Sequence, residues 1–138
     1  MIIHVELDGA ELENETRFAT LVQRLSEALI PTAQEQVRRL PPLYKAGVRY
    51  REEPAGYESM VLPLVVFKRR FGDCWHLCVW RVAELRNAGE KAGIRVKWKL
   101  LPRTPSELVK YFHVQVRRGN GNIEDPSALL GMPSGGFV

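Results

Sequence analysis

Cysteine is scarce in this chain: 138 residues hold two, Cys74 and Cys78. Four residues apart on one predicted helix, they cannot make a disulfide framework, so both are expected as reduced thiols in a reducing compartment. Long apolar runs are missing as well, and none approaches the ~20 residues that a membrane span needs. The opening stretch MIIHVELDGAELENE has no basic region and turns acidic, so no secretory signal is expected and the expected location is cytoplasmic. Aromatic side chains make up 9% of the chain, and no single-strand stacking platform, zinc-finger spacing or basic-zipper pattern is present. The net charge of +4 gathers in small clusters at Arg38-Arg39, Lys68-Arg69-Arg70 and Arg117-Arg118. With acids interspersed elsewhere, it is read as a solvated surface, and nucleic acid is not an expected partner.

What remains fits one domain with a core of its own. Residues 2–7 suggest a short strand ended by Asp8-Gly9. From Glu11 to Leu40 the apolar positions Phe18, Leu21, Val22, Leu25 and Leu29 follow helical spacing. Pro31 is expected to break or kink that helix and open a second one, which Pro41-Pro42 stops. Residues 43–70 read as irregular. A helix is then predicted from Cys74 to a C-terminal Gly89. Strands follow at Arg95–Leu101 and Leu108–Arg118, then a Gly119-Asn120-Gly121-Asn122 hairpin turn, a short return strand at Ile123–Asp125, and a loose Gly-rich tail at 132–138. Helices first and a small antiparallel sheet after them give an α+β class.

The chemistry concentrates in FGDCWHLCVW, residues 71–80. On a helical wheel Cys74, Leu77, Cys78, Val82 and Leu85 share one arc, and Val79, Trp80 and Ala83 lie opposite. A helix apolar on most sides is a buried central helix. Asp73 fits its N-cap. The free amides and positive dipole end of a first turn favour a thiolate at Cys74 and can hold an oxyanion. The opposing reading is an inert buried cysteine. Arg81 falls inside the apolar arc and is expected either to pair with Asp125, Glu124 or Asp73 or to extend to water.

Three histidines are available as partners for the thiol. His4 has no chemical neighbour in sequence. His76 points away from both thiols on its own helix, which also excludes a Cys-x-His-x-Cys metal site. His113, in KYFHVQVR, alternates away from Phe112, Val114 and Val116, so it is either a half-exposed strand histidine or a general base facing a cleft. The acid that orients it depends on hairpin register. A two-residue Asn120-Gly121 turn pairs Val116 with Asp125 and offers Glu124. A three-residue Gly119–Gly121 turn with a bulge pairs Gln115 with Asp125 and offers Asp125. Apolar pattern alone favours the first.

Gly72-Asp73-Cys74 opening a helix, His113-Val114-Gln115-Val116 and Glu124-Asp125-Pro126-Ser127, in that order, resemble the transglutaminase-like branch of the papain-type cysteine enzymes. The resemblance covers roughly residues 70–131, leaving the first 60 as a helical extension. The spacing of GVRY, GDC, IEDPS and LGM is also similar to short phage- and prophage-encoded members. It implies a thiol-dependent amide hydrolase or acyl transferase acting on a peptide or protein. Cys74 would be the nucleophile, His113 the base and Asp125 the orienting acid, with neither cofactor nor metal. Trp75-His76-Leu77-Cys78 departs from the acidic residue and Asp-Leu-Ala that often follow the cysteine in such sequences, which bears on substrate preference. Tyr50 is a candidate for completing an oxyanion hole, against a packing role. A phage setting implies virion structural proteins as partners and a virion or host-cytoplasm location. The rival function is a virion or assembly adaptor that keeps the fold with little or no catalysis.

Overall fold

The computed structural model describes residues 2–4, 15–53 and 59–133. The rest of the predicted first strand, the start of the first helix and most of the tail lie outside them. In chain order the elements are β1 (Ile2–His4), α1 (Glu15–Val37), a 3-10 turn at Leu43–Lys45, β2 (Arg49–Tyr50), β3 (Ser59–Val61) and α2 (Pro63–Arg69). Then come β4 (Phe71–Gly72), α3 (Cys74–Asn87), β5 (Gly93–Thr104), β6 (Glu107–Arg117), β7 (Ile123–Glu124) and α4 (Pro126–Leu129). The architecture is α+β, with α3 packed centrally on the antiparallel sheet β5-β6-β7. Two small pairs flank it, antiparallel β1-β3 and parallel β2-β4. Among the described residues no helix is long and apolar enough to cross a membrane.

The helix α3 is buried on nearly every side, as its apolar wheel predicts; nine of its residues, Trp75 to Leu85, are closed to solvent. It ends where Gly89 takes the left-handed conformation at φ 86°, open to glycine without steric cost. Helix α1 lays Phe18, Val22, Leu29, Ile30 and Ala33 into the same core. A buried polar link ties the two: Trp75 Nε1 donates to Ser26 Oγ at 2.8 Å, and that hydroxyl donates to the Val22 carbonyl. Residues 15–37, outside the stretch that carries the resemblance, are thus built into the core around Cys74.

Three expectations fail here. Pro31 lies within α1 instead of dividing it. It sits on the solvent face, while buried Ile30 and Ala33 beside it hold both halves against the core. The stretch read as irregular contains the short helix α2, with Pro63 at its first turn and Lys68 and Arg69 at its last, both standard end signals. Strand β5 also runs further than expected, so the turn reduces to Pro105-Ser106.

Candidate active site

The start of α3 is fixed by a reciprocal cap. The Asp73 carboxylate accepts from the His76 amide at 3.0 Å, and His76 Nδ1 accepts from the Asp73 amide at 3.1 Å. Histidine fills the role usually taken by Glu or Gln in a capping box. Arg69 Nη2 also lies 3.1 Å from Nδ1, and Nε2 meets the Ser59 carbonyl at 2.5 Å. Two donors on Nδ1 and a carbonyl on Nε2 put the ring proton on Nε2. His76 is therefore committed to the fold. Gly72 is glycine for a packing reason: a Cβ there would stand 3.1 Å from the Cβ of His76 and 3.3 Å from Leu77 and Val66 side-chain atoms.

This cap delivers Cys74 half-exposed at the first residue of α3, whereas Cys78 one turn later is closed off. Cys78 donates to the Val114 carbonyl at 3.2 Å, and burial pushes its thiol well above the usual range. That contact docks α3 on β6 at the residue next to His113.

Strand β6 ends in a three-residue turn. Arg118 N–H donates to Asn122 O at 2.7 Å, Gly121 N–H returns to Arg118 O at 2.9 Å, and Gly121 has φ 89°. This is the bulged hairpin, and it pairs Val116 with Glu124 and Arg117 with Ile123. Continued one residue, the register sets Gln115 opposite Asp125. Asp125 accepts from His113 Nε2 at 2.8 Å and from Gln115 Nε2 at 3.2 Å. Its other oxygen accepts from Ala128 N–H at 3.3 Å, so the same carboxylate caps α4. Burial would raise the Asp125 pKa, but the bonds from His113, Gln115 and Ala128 outweigh it and hold the group below its ordinary value. His113 itself is 1% exposed, so it is not a half-exposed strand histidine. Apolar patterning favoured the wrong register because it assumed a dry face and a wet face. From His113 to Val116 both faces of β6 are covered, Gln115 included.

Glu124 points the other way, into a network of its own. Arg81 Nε reaches it at 2.6 Å, Arg118 Nη1 at 2.8 Å and the Tyr44 hydroxyl at 2.5 Å. Burial acts to raise Glu124, yet these donors hold it below the ordinary range. Arg81 is thus paired with an acid, with Glu84 a looser second contact at 3.6 Å.

Tyr50 enters through β2, paired with Gly72 of β4, while its amide donates to Leu130 O at 2.9 Å beyond α4. Burial, reinforced by Cys74, Glu52, Asp73 and Asp125, pushes its hydroxyl above the usual tyrosine range, so it stays a proton donor at neutral pH. Glu53, Asp73 and His76 form a cluster with the geometry to hold a metal ion. The lone pair a metal would need on His76 Nδ1 already meets Asp73 N–H and Arg69, and Arg69 also stands 3.9 Å from Glu53. The arginine supplies the positive charge there, and the cluster reads as structural.

Of the three residues singled out by sequence, His113 and Asp125 are joined by a direct bond, and Cys74 opens the helix that docks beside them. Gln115, which also holds Asp125, was missed; its signal was its place opposite Asp125 in the bulged register. Compared with protein-family models, curated proteins and solved structures, the chain matches none.

Proposed function

We propose that the protein is a thiol-dependent amide hydrolase or acyl transferase with Cys74 as nucleophile, His113 as base and Asp125 as orienting acid. The observation that carries this reading is the buried 2.8 Å bond between His113 Nε2 and Asp125 Oδ2. A carboxylate on Nε2 fixes the imidazole tautomer and leaves Nδ1 as the nitrogen for proton transfer. Helix α3 and strand β6 support the placement of the third member: Cys78 rests on Val114, and Cys74 lies one turn earlier at the helix end.

In this reading the Cys74 thiol gives its proton to His113 Nδ1 as sulfur attacks the amide carbonyl. The oxyanion is held by the Cys74 amide and by the still-protonated Tyr50 hydroxyl. Collapse breaks the C–N bond, the imidazolium gives its proton to the departing amine, and a thioester remains on Cys74. Water, deprotonated by His113, releases the acid; an amine in its place makes the reaction a transfer.

An activated ester tests the reading. Mass spectrometry of the quenched native protein should find an acyl adduct on Cys74 that is lost in Cys74→Ala and much slower to form in His113→Ala. An adduct that forms equally fast in His113→Ala, or on another residue, overturns it and favours a structural protein.

A further inference from the structure

The positive charge of this chain is concentrated in one segment. Residues 38–70 hold eight Lys and Arg against three Glu, a surplus of five that exceeds the +4 of the whole chain. Part of that segment folds onto the edge of the candidate site. Arg49 pairs with Phe71 across β2-β4, and its amide donates to Arg70 O at 3.1 Å. Arg51 N–H donates to Gly72 O at 2.9 Å, two residues before Cys74. The guanidinium groups of Arg51 and Arg69 both lie over the Phe71 ring, at 4.8 and 4.3 Å from its centroid. Arg70 lies over Phe67 at 4.1 Å and donates to the Ala46 carbonyl.

Aromatic rings and backbone carbonyls hold the guanidiniums of Arg51, Arg69 and Arg70 in place but do not neutralise them. Glu53 stands near Arg69, but among the described residues Arg49, Arg51, Lys68 and Arg70 have no acid within ion-pair distance. Arg49, Arg51, Lys68 and Arg70 are all exposed, and they leave a cationic face beside β4, which leads into the first turn of α3. It is the wrong shape for nucleic acid. Its rings, Phe71 and Phe67, are already covered by guanidiniums, which leaves them poorly placed to stack a base, and Glu52 interrupts the basic run against a continuous phosphate chain.

We propose that this face, built from Arg49, Arg51, Lys68 and Arg70, binds acidic side chains of a peptide or protein whose amide is presented to Cys74. The proposal takes the thiol-hydrolase reading as its premise and adds a substrate class: amides flanked by Asp or Glu. Complementary charge of this kind speeds encounter and fixes the register of the bound chain.

The test uses the full chain carrying Cys74→Ala, so that binding is read without turnover. Three fluorescent probes are compared: a glutamate-rich peptide, the same peptide with glutamine for glutamate, and a short single-stranded oligothymidylate. The glutamate peptide should bind about ten-fold tighter than its match at low salt, with the advantage collapsing near 0.5 M, where screening shortens to roughly 4 Å. Arg49→Glu/Arg51→Glu should remove that advantage. Arg24→Glu/Arg95→Glu, which removes the same charge elsewhere, should keep it, with circular dichroism checking that both variants fold. Should Arg49→Glu/Arg51→Glu unfold, the milder Arg51→Gln should still weaken the glutamate peptide alone. Equal binding of both peptides overturns the proposal, and so does tighter binding of the oligonucleotide through the same arginines. Acyl-adduct formation on Cys74 with a neutral ester is measured separately. Adduct formation without charge preference sinks only the substrate class; charge preference without adduct sinks only the catalytic premise.

Discussion

His113 Nε2 and Asp125 Oδ2 stand 2.8 Å apart, twelve residues distant in sequence and joined by the bulge at Gly121. Asp125 has a second task, since its Oδ1 accepts from Ala128 N–H at the start of α4. Asp125→Asn keeps one acceptor oxygen and one amide, so either the cap or the bond from His113 is retained but not both as they are. The expected cost in stability is about 1 kcal/mol, that of an impaired cap. Turnover should fall by orders of magnitude, about 10⁴ where the orienting acid of a triad becomes an amide. A variant that folds and keeps native turnover would remove Asp125 from the mechanism.

Cys74 and Cys78 should separate cleanly under brief alkylation of the native protein. Cys78 is fully buried, donates to Val114 O and has its thiol pushed upward, so little thiolate exists to react. Peptide mapping after iodoacetamide should find the label on Cys74, with Cys78 reacting only on unfolding. Label on Cys78 first would mean that α3 opens more readily than its packing allows.

The Arg81–Glu124 pair holds β7 beside α3, and β7 ends one residue before Asp125. Arg81→Leu leaves a partly buried carboxylate with Arg118 and Tyr44 alone. The expected destabilisation is about 1–3 kcal/mol, read as a shift in urea midpoint. Catalysis should suffer as well, through Asp125. Unchanged stability and activity together would show that Arg118 suffices.

How far the sequence carried the reading differs from element to element. The central helix, its Asp73 cap and its Gly89 end were legible because local chemistry and wheel position agreed. Helix α2 and pairs such as β2-β4 were not: two residues of parallel pairing leave no periodicity, yet they bring Tyr50 to Gly72. The choice between Glu124 and Asp125 turned on one residue of register, where Gly121 in a left-handed bulge prevailed over apolar alternation. Alternation misleads on β6 because His113 and Gln115 are buried and both bond Asp125, contacts that exist only once the chain has folded back.

Asp73 allows a test in pH. Its burial outweighs the favourable His76 and backbone contacts and raises its pKa in the folded protein. Between the unfolded value of about 3.9 and the raised folded value, the native state binds more protons than the unfolded state. Stability from this group is therefore greatest at low pH and falls as pH rises through that window. Asp125 and Glu124, both lowered, act in the opposite sense: their contribution is present above their unfolded values and lost as pH falls. Asp73→Asn keeps a good N-cap acceptor for the His76 amide but removes the titration. Whatever constant offset the amide introduces, stability of the variant relative to native should increase with pH across the window, the contributions of Asp125 and Glu124 cancelling in the comparison. Urea unfolding of both proteins from about pH 4 to pH 7 reads the difference. A flat or declining difference would mean that Asp73 is not stabilised in its protonated form, and that its cap is ionised at little cost.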